Sequence, residues 1–387
     1  MEKVNALIDG IFEELVEINH FIYENPELGN QEFKACKAHI ELLKKHNFQV
    51  EDKFLDMETA FRATYDSKKL GPVIAVMGEY DALPGIGHGC GHNMIGTIAD
   101  GVGIVLSKIV DEIGGKIIVL GTPAEETNGG KVDMADRGVF DDIDIALMAH
   151  PSSRTNLEIQ SLAMEAIEFE FSGKAAHAAA APEKGINALD AVISTFNSIN
   201  ALREHITTST RIHGIITEGG VAANIVPEKA VAQFYVRATT KSYLKEVIEK
   251  VKNCARGAAL ATGAELSIRN YEKSYDNFVL NNALTGVVKK HFIENKFDIG
   301  CEVLSLGSLD AGNVSHVCPT AHPMFSITTE DIPGHTRDLA NATIKPYALD
   351  AMKRVINALV LTGVEVIENP EILIAIKEEH DRKRKSC

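Results

Sequence analysis

The sequence predicts an α/β protein, an open doubly wound domain with a smaller ferredoxin-like domain inserted into it. Three observations carry this prediction. From the N-terminus to about residue 160, short apolar runs alternate with helical stretches, the rhythm of an open α/β sheet. At about residue 162 the order becomes β-α-β-β-α-β, the split arrangement of a small independent domain. After about residue 275 the first rhythm resumes. At 387 residues the chain is too long for one small core. The expected division is 1–161 and 274–387 for the larger domain and 162–273 for the insert.

Taken in order, residues 5–22 place Leu7/Ile8, Ile11/Phe12 and Leu15/Val16, then Ile18 and Ile22, at helical period. One amphipathic helix over the sheet is expected, ended by Asn25-Pro26-Glu27-Leu28-Gly29. A second helix is expected over about 31–46. The apolar run 72–77 reads as a buried strand leading to Glu79-Tyr80-Asp81-Ala82-Leu83-Pro84 and the loop Gly87-His88-Gly89-Cys90-Gly91-His92-Asn93. A helix follows over about 94–112. The strand 116–120 then delivers Pro123-Ala124-Glu125-Glu126, and the strand 143–148 delivers His150. Open α/β sheets bind ligands beyond the carboxyl ends of their strands, and these three polar loops lie there.

In the insert, Ile167, Phe169 and Phe171 alternate with Glu168 and Glu170, a half-exposed strand. Helices near 187–203 and 241–262 and strands near 211–217, 230–238 and 264–270 complete it. The larger domain resumes with Val303-Leu304-Ser305-Leu306 and Phe325-Ser326-Ile327 and closes with a helix near 346–363. The basic run His380–Lys385 reads as a solvated end.

The net charge of −15 argues against nucleic acid as a partner. No stretch of ~20 consecutive apolar residues suggests a membrane span, and the polar start Met1-Glu2-Lys3-Val4 lacks a signal-peptide core. Six scattered cysteines without a paired pattern read as reduced thiols of a cytoplasmic protein.

Cys90 and His92, two residues apart among glycines, can both face one borderline cation such as zinc. Cys-x-His alone is weak, because a lone cysteine is more often a small core residue. The pair Glu125-Glu126, after an apolar strand and Pro123, can diverge on a loop so that one carboxylate binds metal and the other reaches a water. His150 ends a buried strand, and His335 follows Pro333 in a loop. Each has a plain structural reading beside the metal one. His88 competes with Cys90 or His92 as a ligand. From the residues alone, His177, Asn224 and Arg237 are a loop histidine, a turn asparagine and an edge-strand arginine.

These motifs together resemble the zinc-dependent aminoacylase/carboxypeptidase-type metallopeptidases, metallopeptidase family 20. The branch is the one that holds aminobenzoyl-glutamate hydrolase and Xaa-Arg dipeptidase-like amidohydrolases. The matching stretches are Asn25–Gly29, Tyr80–Gly85, Gly89–Asn93, Gly121–Glu126, Ala149–Pro151, Gly307–Ser315 and Gly334–Thr336. The resemblance implies two divalent ions, zinc or manganese, held by Cys90, His92, Glu126, His150 and His335, with Glu125 as general base. Many relatives outside this branch bridge the ions with an aspartate. Here Cys90 and His92 stand in that region, and which group bridges stays open.

The resemblance also implies that His177 and Asn224 complete the site and that Arg237 holds a substrate carboxylate. The insert is then a lid and dimerisation domain of a homodimer. The implied reaction is attack of a water on the amide of a small N-acyl amino acid, an aminobenzoyl-glutamate-like conjugate or a dipeptide, with the oxyanion held by metal and His177. The alternative from another class is a metal-free binding protein for peptides or acyl amino acids on the same fold.

Overall fold

The computed structural model describes residues 2–300, 304–305 and 307–385. Cys301, Cys387 and the Val303 and Leu306 ends of one expected strand lie outside the described residues. The chain divides into two compact units, Met1–Gln160 with Phe278–Ser386, and Ser161–Asn277. The second crossing falls at Asn277 rather than 273. Met164 and Tyr275 exchange two backbone hydrogen bonds, at 2.7 and 3.0 Å, and Lys241 bonds Asn277 through its amide and Asp276 through its ammonium group. These bonds keep residues 274–277 with the insert.

The larger unit is built on a six-stranded sheet, in the order Gln49–Asp52, Phe61–Asp66, Lys116–Gly121, Val73–Gly78, Ile145–Leu147, Thr320–Ala321. The last four run parallel and the first two antiparallel. Val73–Gly78 and Lys116–Gly121 are buried along almost their whole length, which is why they read as continuous apolar runs. The helix His92–Ile113 fills the core against them. It has the length and composition to cross a membrane, contrary to the sequence reading, and is almost wholly buried within the unit.

Four other expectations shift. The single N-terminal helix is two, Glu2–Asp9 and Phe12–Glu24, broken at Gly10, where the backbone flexibility of glycine weakens a helix. Two stretches, 304–305 and Met324–Ser326, lie outside the main sheet, pairing with Ile159–Gln160 and His150–Ser152. Thr320–Ala321 takes the edge position instead. The strand Ile145–Leu147 stops before His150, which opens the short strand His150–Ser152. The basic tail belongs to the helix Pro370–Arg384, anchored where His380 Nε2 meets the Ser315 carbonyl at 2.8 Å.

The inserted unit is a four-stranded antiparallel sheet in the order Glu265–Asn270, Ala163–Ser172, Lys229–Ala238, Arg211–Glu218. Helices Ala188–Leu202 and Lys241–Thr262 pack on the face that carries Ile167, Phe169, Phe171 and Phe234. The other face carries Glu168, Gln233, Tyr235 and Arg237. The split β-α-β-β-α-β pattern is therefore present.

Candidate metal centre and acid loop

Three segments meet at the carboxyl ends of the parallel strands. Gly91 caps the helix His92–Ile113 with φ 78°. A Cβ there would lie 2.3 Å from Pro151 Cγ, so only glycine lets the Cys90 loop close on His150-Pro151. At Gly89 a Cβ would stand 3.0 Å from the Thr336 carbonyl, and the Gly89 carbonyl accepts the His335 amide at 2.9 Å. Glycines thus draw the His150 and His335 segments onto Cys90.

Cys90 Sγ lies 3.4 Å from His150 Nε2. His335 Nε2 lies 3.4 Å from Glu126 Oε1, and His92 Nε2 lies 3.9 Å from that oxygen. The donor atoms form three sets in which all members lie within 4.8 Å of one another: Cys90/His92/His150, Cys90/Glu126/His335 and His92/Glu125/Glu126. The five ligand residues and the base that the sequence singles out are therefore neighbours. His88 is not in these sets. It is buried, and its Nε2 contacts the Ile22 carbonyl at 3.1 Å, a structural role.

The donors fit a cation. His92 Nε2 and Glu126 Oε1 are buried, and neither makes a hydrogen bond of good geometry; a cation between them would satisfy both. Burial raises the Cys90 thiol, but the His150 and His92 imidazoles outweigh it and bring it down to about 6. Burial likewise opposes charge on His92, and Asp81, Cys90 and Glu79 overcome it, holding the imidazole well above its usual range. The Cys90 sulfur and the Glu126 carboxylate beside it push His335 up to about 10. Thiolate and carboxylates gather around imidazoles here, which is a soft-to-borderline metal donor set.

The groups behind the donors carry little sequence signal. Asp81 Oδ1 meets His92 Nδ1 at 2.8 Å, leaving Nε2 to face the cluster. Its other oxygen accepts the Glu126 amide at 3.0 Å. Lys131, fully buried, donates to Glu79 Oε1 at 2.6 Å and Asp310 Oδ1 at 2.8 Å. Burial opposes ionisation of Glu79, but Lys131 holds it below the usual carboxylate range. Burial leaves Asp310 above that range. Burial, Glu79 and Asp310 also push the Glu125 carboxyl well up, the direction an acid–base carboxyl needs near neutral pH. Asp81 and Asp310 lie within the motif stretches, whereas a lone lysine after Gly129-Gly130 offers nothing to read.

Backbone strain marks the same place. Ala124 has φ 61° and His335 φ 59°, left-handed values that non-glycine residues seldom adopt.

In the inserted unit, His177 and Asn224 sit on adjoining loops. The Ala178 amide donates to the Asn224 carbonyl at 3.0 Å, and His177 Nδ1 accepts the Ala180 amide at 3.2 Å. Arg237 lies elsewhere in that unit, on the open sheet face, and not on an edge strand as the sequence suggested: Lys229–Ala238 is paired on both sides. Its guanidinium is 5.9 Å from the Tyr235 ring centre, and its Nε is buried without a partner.

The chain is similar to several known proteins. A family described as peptidase dimerisation domain matches residues 162–262. The chain is 35% identical to the Xaa-Arg dipeptidase of Mus musculus over 396 residues, covering 96% of this chain and 90% of that protein. It belongs to metallopeptidase family 20. This metallopeptidase is therefore an enzyme of amide or peptide bond hydrolysis. It is also 33% identical to a p-aminobenzoyl-glutamate hydrolase chain of Escherichia coli over 309 residues, 73% of this chain and 64% of that one. A Bacillus subtilis protein described as a dinuclear metal binding peptidase of the family shares the fold. Its TM-score is 0.71 at 18% identity, covering 93% of this chain and 99% of that one.

Proposed function

We propose that this metallopeptidase hydrolyses the amide bond of a dipeptide or a small N-acyl amino acid. It does so with two divalent ions, zinc or manganese, held by Cys90, His92, Glu126, His150 and His335, and with Glu125 as general base. The observation that carries this reading is the position of Cys90. Its sulfur belongs to two donor sets at once, one with His92 and His150 and one with Glu126 and His335. His92 and Glu126 likewise belong to two sets each, so the five residues together would hold two ions.

Bound there, divalent ions would acidify a water and polarise the scissile carbonyl. Glu125 takes the proton of the attacking water on its carboxylate and returns it to the leaving amine. The left-handed backbone at Ala124 supports the division of labour, since it turns the chain just before two neighbouring carboxylates that must do different things. By family resemblance, His177 steadies the oxyanion and Asn224 completes the site. Arg237, a planar and permanently charged fork, holds the substrate carboxylate; its buried, unpartnered Nε supports that role.

The enzyme works in the cytoplasm as a homodimer through the inserted unit. The exposed edge strand Arg211–Glu218, with Ile215 63% exposed, supports that mode of pairing.

The Mus musculus relative points first to dipeptides ending in arginine, and the Escherichia coli relative to aminobenzoyl-glutamate. Metal-stripped protein reloaded with zinc or manganese is assayed on both and on acetylated amino acids. Turnover of at least one, restored only by metal, is expected. A fully loaded dimer inert on the whole panel refutes the reading. Arg237→Ala should raise KM for carboxylate substrates more than for their amides; equal effects would assign it a structural role.

A further inference from the structure

The loop that carries Glu125 and Glu126 is held from behind by a carboxylate that the chemistry above does not use. Glu32 is 0% exposed. Its Oε1 accepts the Ala124 amide at 2.8 Å, and its Oε2 accepts the Thr59 hydroxyl at 2.7 Å. Ala124 is the residue in the left-handed conformation, immediately before Glu125. Its carbonyl gathers the amides of Thr127, Asn128 and Gly129 at 3.3, 2.9 and 2.7 Å. The turn that presents both acids therefore closes on one peptide unit, and Glu32 grips that residue from its amide side. Gly29 adds the close approach: a Cβ there would stand 2.4 Å from Thr127 Oγ1 and 3.0 Å from Ala124 Cα.

We propose that Glu32 is a positioning residue for the Glu125–Glu126 pair, fixing the strained turn at Ala124 through its amide. The inference rests on the reading of Glu125 as general base. Glu32 touches neither substrate nor ion. It acts through the loop. Without its carboxylate, Ala124 is free to relax toward an ordinary conformation and Glu125 swings from its working place. The Glu126 amide remains held by Asp81, so metal binding is kept while turnover falls.

The test uses the metal-loaded full chain and four variants, Glu32→Ala, Glu32→Gln, Glu125→Gln and the double variant Glu32→Ala/Glu125→Gln. Glu32→Ala is expected to lose roughly tenfold or more in kcat, with KM and metal content little changed. Glu32→Gln keeps an oxygen for the Ala124 amide and should recover most of the loss. The double variant should be no slower than Glu125→Gln alone, because both lesions act on one proton transfer. A Glu32→Ala enzyme within twofold of wild type in kcat overturns the proposal, as do losses that multiply in the double variant. An active Glu125→Gln enzyme instead removes the underlying reading, so the two failures are distinct. Should Glu32→Ala not fold, Glu32→Asp carries the same comparison, since its shorter side chain cannot reach both Ala124 and Thr59.

Discussion

Replacing Lys131 by methionine should be among the most damaging single changes in the larger unit. The ammonium group is fully buried between two carboxylates, Glu79 at 2.6 Å and Asp310 at 2.8 Å, and the Lys131 amide adds a bond to Asp310 Oδ2 at 3.1 Å. Methionine fills a similar volume, so packing is largely kept and the charge is what goes. Removing one member of a buried ion cluster typically costs about 3–5 kcal/mol, because the remaining charges stay desolvated and unpaired. For a domain of this size that corresponds to a fall in Tm of roughly 6–20 °C.

The deficit should also depend on pH. With Lys131 gone, burial raises the Glu79 carboxyl in the folded state above its unfolded value. A raised acid weakens the fold at pH above its unfolded pKa, and that loss fades as the pH falls toward about 4–5. Thermal denaturation of metal-free wild type and variant between neutral and mildly acidic pH reads both effects. Adding Glu79→Gln to Lys131→Met should restore part of the loss at neutral pH. A change below about 1 kcal/mol, or a deficit flat across pH, would refute the view that Lys131 balances these carboxylates.

Glu125→Gln should keep its metal and lose roughly a hundredfold or more in rate, whereas Glu126→Gln should lose metal. Metal analysis beside turnover separates them, and a Glu125→Gln enzyme that works normally would sink the base assignment. In metal-stripped protein at neutral pH, Cys90, lowered to about 6, should be alkylated ahead of Cys36 and Cys318, which burial pushes up to about 12. Zinc added first should protect it, and unprotected or even labelling by peptide mapping would count against a Cys90 ligand. Glu379 accepts the Asn282 and Ala283 amides at 3.0 and 2.7 Å. Burial opposes its ionisation, but Lys383 and these amides hold it below the usual range. Its folded pKa is depressed, so its contribution is complete above about pH 4.3 and is lost as pH falls through the folded value. Glu379→Gln should therefore cost about 1 kcal/mol at neutral pH and nothing in strong acid, checked by denaturant midpoints across that window.

The parts of the site that were legible in the sequence share one property: each sits at a strand end or among glycines and prolines. Cys90 and His92 follow the buried strand Val73–Gly78, and Glu125 and Glu126 follow Lys116–Gly121, so apolar run and polar loop mark them in one dimension. The split pattern of the insert was equally legible, because its alternating strands and long amphipathic helix have distinct periods. What could not be read is tertiary. Lys131 and Asp310 stand 179 positions apart, and Glu32 reaches Ala124 across 92. The edge strand Thr320–Ala321 is two residues long, too short for any period. Nor does an alanine announce a left-handed turn, since its own preference is against one.

Those unread contacts follow a common rule. The segment from Ala124 to Lys131 donates three backbone amides to three buried carboxylates: Ala124 to Glu32, Glu126 to Asp81 and Lys131 to Asp310. Neutral carbonyls would satisfy the same amides. Carboxylates make stronger, charge-assisted bonds and hold geometry more tightly, but they also gather negative charge around Glu125 and Glu126. Lys131 offsets part of it. Cys90 and Glu126 add theirs where the imidazoles converge. The carboxylates that make the acid loop rigid thus also set the charge beside the donor cluster. On this account a variant that loosens the loop, such as Glu32→Ala, alters the placement of Glu125 before it alters the charge that holds metal.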